Sequence, residues 1–330
     1  MKVAIATLLA ALLAAAAAHA AGPAYHVVEE IHGPDGGWDY LRIDPAGNRL
    51  LVTRGGSVMS VDLASKAVTP GLWPGARLHI ALPIDGGAVL VTNGGSNTAT
   101  IVDAKSGALL ATIPTGQGPD AAGFDARSGI AVVVDHAGGD VVLIDAKARK
   151  PLATITVGGT LEEVALDGRG KAFVNVEDKN ELVAIDLKAR KVLGRYPLTG
   201  CDGPTGLTYD GADNLLFAAC NGSTDVVDAT SGKVVSTVTT GKGADGVVWD
   251  GRRKLAFVSA GGDGTLSILA VRGGKAELVQ TLPTHRGART LALDERTGFI
   301  YLPAADYTPA SGGGRPGVTP GTFRVIVVAP

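Results

Sequence analysis

Hydrophobic and polar positions fall into a repeating unit, seen most cleanly over residues 101–145: IVDAKSGALLATIPTGQGPDAAGFDARSGIAVVVDHAGGDVVLID. Short apolar runs rich in Val, Ile and Leu alternate with Ser-Gly, Thr-Gly and Gly-Gly turns and a Gly-Pro-Asp loop. Short β-branched runs bounded by turn residues predict strands joined as a meander. The closing Asp recurs at Asp62, Asp103, Asp145, Asp186 and Asp228. A second Asp, ending a different strand, recurs at Asp44, Asp85, Asp125, Asp167, Asp210, Asp250 and Asp294. A period of about 40–45 residues carrying four short strands is the pattern of propeller blades. The expected fold class is therefore all-β, a seven-bladed β-propeller.

Within each unit the strands are labelled a to d outward from a central channel. The a strands are short and rich in small residues, as a crowded channel wall requires, and the b strands (AVLVTNG, IAVVVDH, NLLFAAC) are almost continuously apolar. The last unit has a, b and c strands and then ends, whereas residues 25–32 (YHVVEEIH) match the d-strand pattern of residues 278–285 (LVQTLPTH). This predicts a Velcro closure, in which the N-terminal strand completes the last blade and removes an open edge. Residues 304–322 (AADYTPASGGGRPGVTPGT) are a Gly/Pro/Ser-rich insertion between the b and c strands of that blade, read equally well as a lid or as a neutral loop.

Residues 1–20 combine Lys2, an Ala-rich apolar run and Ala18-His19-Ala20, which reads as a cleaved signal peptide and predicts a periplasmic or secreted protein. Residues 21–330 then form a single domain, with no apolar run of membrane-spanning length after the leader is removed. With 30 basic and 32 acidic residues, no sequence-wide field favours nucleic acid or an anionic membrane. A ring without open edges predicts a monomer.

Val91-Thr92-Asn93-Gly94-Gly95, followed by Ser96-Asn97-Thr98 and Val102-Asp103, resembles the repeat of the YVTN (YncE-like) β-propeller family, and Leu51-Val52-Thr53-Arg54 is a weaker copy. The resemblance spans the chain after the leader and implies an exported seven-bladed propeller. Only the second blade keeps the Thr-Asn pair; others read Val134-Asp135, Asn175-Val176 and Ala219-Cys220. Related propellers include surface-layer proteins and parts of cofactor-bearing oxidoreductases, so the resemblance implies a fold and no single activity.

Loops joining d to a and b to c strands share one face, around the channel mouth. Five residues before the Asp that closes strand a stand Asp39, Asp120, Glu162, Thr205, Asp245 and Arg289; matching Gly75-Ala76-Arg77 to Gly287-Ala288-Arg289 adds Arg77, with His79 close by. Two readings stand. Each Asp ties down its Gly-rich loop by accepting backbone N–H groups, or the positions form a ligand-binding ring with an acidic arc (Asp120, Glu162, Asp245) opposite Arg77 and Arg289. Such a ring suits a small polar, partly anionic ligand, and the arc suits a divalent cation. His32, His79 and His285 fall in three successive loops and would suit zinc or copper if they converged; His136 reads as a loop residue. Cys201 and Cys220 lie on the mouth face and are expected to pair as a disulfide after export.

No haem-attachment, P-loop, nucleophile-elbow or zincin motif is present, and no cofactor is evident. The leading expectation is a non-enzymatic module that binds a small polar ligand or a protein partner through the mouth. The alternative is a metal-assisted hydrolase or lyase of the propeller-lactonase kind, with His79 or His285 moving the proton.

Overall fold

The computed structural model describes residues 24–308 and 317–330. The leader at residues 1–20, and with it the export expectation, lies outside the described residues, as does the middle of the 304–322 insertion. Every described element is a strand except one 3-10 turn, Glu177–Lys179.

Five sheets have four strands each and a sixth has seven. The innermost strands pack side by side in a closed cycle. Leu41–Asp44 lies against Val68–Ile84, followed by Pro119–Asp125, Leu161–Leu166, Leu207–Asp210, Ala244–Asp250 and Ala292–Asp294, which returns to Leu41–Asp44. Sheets radiating from a closed inner cycle make a β-propeller. The inner strands come close enough that a Cβ on Gly206 would stand 2.9 Å from the Gly246 backbone, which explains their small side chains.

The next strands outward, such as Ala88–Asn93, Leu215–Cys220 and Leu255–Ala260, are buried at every residue because both faces meet neighbouring sheets. Their Val, Leu, Ile and Phe side chains form the core between sheets, where area removed from water supplies the main driving force. Outermost strands such as Lys191–Pro197 alternate between exposed and half-buried, as an outer rim should.

His26–His32 pairs antiparallel with Arg324–Ala329, from His26 opposite Ala329 to His32 opposite Arg324. Tyr25 anchors this strand's start: its ring is 1% exposed and meets Phe257 edge-on at 4.9 Å, and the Gln280 amide bonds both its backbone N–H and its carbonyl.

Both repeating Asp series are turn builders. Asp62, Asp103 and Asp228 each accept the backbone N–H of a Ser three residues on, and that Ser's hydroxyl. Asp44, Asp125, Asp210, Asp250 and Asp294 accept N–H groups in the a–b turns. Asp85 departs from its series: the ladder there closes on Ile84 opposite Ala88, which leaves Asp85 exposed in a turn one residue shorter.

Candidate functional site at the channel mouth

A local irregularity aims several of the ring residues inward. In four of the inner strands the pairing with the next strand outward slips: between Leu78 and Ala81, Pro119 and Ala122, Leu161 and Val164, and Ala244 and Gly246. His79, Asp120, Glu162, Glu163 and Asp245 occupy these slips. A bulge leaves residues unpaired and re-aims their side chains, here toward the channel.

The side chains then engage one another across neighbouring sheets. His79 Nδ1 stands 2.6 Å from Asp39 Oδ2 and 3.1 Å from Asp120 Oδ1. Arg289 reaches Asp39 at 3.2 Å through Nη2 and Asp245 at 2.7 Å through Nε. The Nε contact is an ion pair and not an aligned hydrogen bond. His136 Nδ1 lies 3.0 Å from Glu162 Oε1. Below the ring, Arg42 donates to Glu163 at 2.6 Å and lies over the Tyr40 ring. A cavity of about 470 Å³ opens beneath, lined by Tyr40, Arg42, Phe124, Glu163, Tyr209 and Trp249.

Loop tying is done by other residues. Asn97, Asn180 and Asn221 accept the N–H groups of Gly118, Gly203 and Gly243, and Asp135, Asp178 and Asp263 accept those of Gly116, Thr160 and Lys242. Among the described residues no backbone N–H donates to the side chain of Asp39, Asp120, Glu162 or Asp245. The loop-tie reading of these carboxylates therefore does not hold.

Burial, with a smaller contribution from the crowding of like charges, sets the electrostatics. Burial pushes the Glu162 carboxyl up to about 7 against the pull of His136, with the Asp245 and Asp120 charges adding to the rise. Burial takes Glu163 to about 7 despite Arg42, and Asp245 to about 6 despite Arg289. Burial and the neighbouring Asp39 also raise Asp120. The Glu162 hydrogen bond lifts His136 to about 9. For His79 burial works downward but is outweighed by the Asp39 hydrogen bond and the charges of Asp120 and Asp39, so its pKa rises. Asp245 keeps 25% of its side chain accessible to solvent although protein closely surrounds it.

Of the residues expected from sequence, Asp39, His79, Asp120, Asp245 and Arg289 form one linked group and Glu162 joins it beside Asp120. Arg77 does not occupy the ring. Because the ladder closes on Ile84, counting back five residues gives His79, and Arg77 sits exposed at φ 49°. Thr205 is engaged elsewhere, its hydroxyl donating to the Ala244 carbonyl. The three loop histidines do not share a site: His79 meets Asp39 and Asp120, His285 meets Asp306, and His32 ends the first strand. His136, read as a loop residue, belongs to the mouth, as its place at the start of a b–c loop on that face signals. Glu163 and Arg42 gave no such sign, since strand alternation would turn one of two adjacent glutamates away.

Cys201 and Cys220 are joined in a disulfide, Cα atoms 5.4 Å apart. The described ends of the 304–322 insertion lie on the mouth rim, with Tyr307 6.3 Å from Trp38 and Asp306 bonded to Arg324. The lid reading of residues 304–322 turns on a segment whose middle, residues 309–316, lies outside the described residues.

No protein-family model and no curated protein matches the sequence. Among solved structures, a chain in the crystal structure of a mitotic checkpoint complex superposes with a TM-score of 0.75 at 15% identity, over 98% of this chain and 98% of that one. Hydrazine synthase of Kuenenia stuttgartiensis superposes with a TM-score of 0.50 at 16% identity, over 68% of this chain and 91% of that one. At these identities the likeness is one of fold alone.

Proposed function

We propose that this chain is an exported propeller of the YVTN-repeat (YncE-like) kind, acting as a binding module that takes a small polar ligand at its channel mouth. The observation that carries the reading is the mouth itself. Carboxylates, imidazoles and a guanidinium from separate sheets converge there, held by one another, while neighbouring Asn and Asp residues tie the loops. Assembling like charges costs stability, and a fold retains such a cost most readily where a ligand uses it.

The seven-copy repeat and the cycle of inner strands support seven blades, with the seven-stranded sheet counting as two that share Val68–Ile84. The pairing of His26–His32 with Arg324–Ala329 supports N-terminal closure. The disulfide suits an oxidising compartment, and with residues 1–20 it supports export.

An excess of carboxylates around Arg289 favours a ligand carrying an amine beside a carboxylate or hydroxyl: the amine faces Glu162 and Asp245, and the anionic end faces Arg289. A thermal-shift screen of the disulfide-intact chain against amino acids, amino sugars and polyols tests this. At least one compound is expected to raise the melting temperature of the parent and not of Asp245→Asn. A screen in which no compound discriminates between the two contradicts the reading.

A second reading, the metal-assisted hydrolase or lyase, is favoured by two groupings of metal-ligand type, Asp39–His79–Asp120 and Asp120–His136–Glu162. Chelator-sensitive lactone hydrolysis is its signature.

A further inference from the structure

We propose that Asp39, His79 and Asp120 hold one divalent transition-metal ion of the zinc class at the channel mouth. The proposal rests on the reading of the mouth as a binding site and names a resident ion within it.

The argument begins with a missing hydrogen. A neutral imidazole nitrogen donates at most one hydrogen bond. His79 Nδ1 stands 2.6 Å from Asp39 Oδ2, which takes that hydrogen, and 3.1 Å from Asp120 Oδ1, which receives none. Asp120 Oδ1 is sealed from solvent and accepts no hydrogen bond from any other group among the described residues. Three lone-pair atoms thus converge with one proton among them. A cation in the proton's place satisfies all three.

Geometry and donor type agree with this. The three ligand atoms lie within 4.8 Å of one another. Around a zinc-class ion with bonds of about 2.0–2.2 Å, donors stand about 3–3.5 Å apart, so the site needs only a small expansion. One imidazole with two carboxylates suits a borderline transition metal better than calcium or magnesium, which prefer oxygen alone. The supports around the ligands are also in place. Arg289 Nη2 donates to the outer oxygen of Asp39 at 3.2 Å. Thr53 Oγ1 fixes the His79 carbonyl at 2.6 Å, and Gly94 leaves room for the imidazole, since a Cβ there would stand 2.8 Å from Nε2. Such partners orient ligands and tune the metal.

The two neighbouring groupings are weaker candidates. His136 Nδ1 lies 3.0 Å from the Leu161 carbonyl as well as from Glu162, so that nitrogen is held as a donor. Cys201 and Cys220 are spent in their disulfide. Three protein ligands leave a coordination position facing the channel, which a ligand carboxylate or hydroxyl would fill.

The test uses the disulfide-intact chain, stripped with chelator and titrated calorimetrically near neutral pH with zinc chloride, and in parallel with calcium chloride. One zinc ion per chain is expected, with calcium at least about tenfold weaker. Asp120→Asn and His79→Gln, each verified as folded by circular dichroism, are expected to weaken zinc by about tenfold or more, while His285→Gln leaves it unchanged. Absence of zinc binding, binding untouched by both Asp120→Asn and His79→Gln, or binding lost with His285→Gln overturns the proposal. Zinc is titrated without any organic ligand. A null result here therefore leaves the ligand screen standing, and a failed screen leaves the zinc stoichiometry standing.

Discussion

Thr92 gives the clearest view of what single residues contribute. Its hydroxyl donates to the Asp120 carbonyl in the next sheet at 2.8 Å, and Thr53 and Ser259 do the same for His79 and Arg289. Asn175 serves the Thr205 carbonyl through its amide. Where the b strand carries Ala219 or Pro303, a threonine on the a strand substitutes: Thr205 bonds the Ala244 carbonyl and Thr290 the Asp39 carbonyl. The repeated Thr is thus a tether between sheets that fixes the backbone under the ring. Thr53 is fully buried, so Thr53→Val is expected to lower stability by about 1–2 kcal/mol, read from the urea midpoint, with Thr53→Ser close to the parent. A neutral Thr53→Val would remove the tether from the account. Most ring residues were legible because they recur at a fixed offset from a turn Asp. Arg77 was misplaced because that offset fails where a turn is one residue shorter, a difference visible only once strand pairing is known.

Strands were easier to read than their irregularities. Continuous apolar b strands and alternating outer strands follow directly from burial on two faces or one. The slips that aim Asp120, Glu162 and Asp245 inward follow from register, which no local pattern encodes. Glu163 was hidden for the same reason, and Arg42 with it, since its role is the pairing with Glu163. The N-terminal strand was legible through its likeness to another outer strand, and it carries a prediction. Deleting residues 21–32 removes the ladder to Arg324–Ala329 and the buried Tyr25 anchor, so thermal unfolding is expected to lose cooperativity or fall by about ten degrees or more, several kcal/mol on the usual scaling. An unchanged melting temperature would contradict the closure.

Across the whole molecule, the mouth ties stability to pH. Asp245, Glu162 and Glu163 bind protons more tightly folded than unfolded, from ordinary values of 3.8 and 4.5 up to about 6 and 7. Their stabilising contribution is complete below those ordinary values and is lost as pH rises through about 6 to 7. His136 rises from 6.5 to about 9, so its contribution is complete below 6.5 and lost as pH climbs through about 9. Both windows run in one direction: the metal-free chain is expected to lose stability steadily from mildly acidic to alkaline pH. Whether the charges serve a ligand or the fold is then decided by one measurement, the melting temperature of the metal-free parent and of Asp120→Asn/Glu162→Gln across that range. If the charges are held for a ligand, the variant shows the flatter profile and above neutrality is at least as stable as the parent. A variant that melts several degrees below the parent at every pH would mean that these carboxylates hold the propeller together.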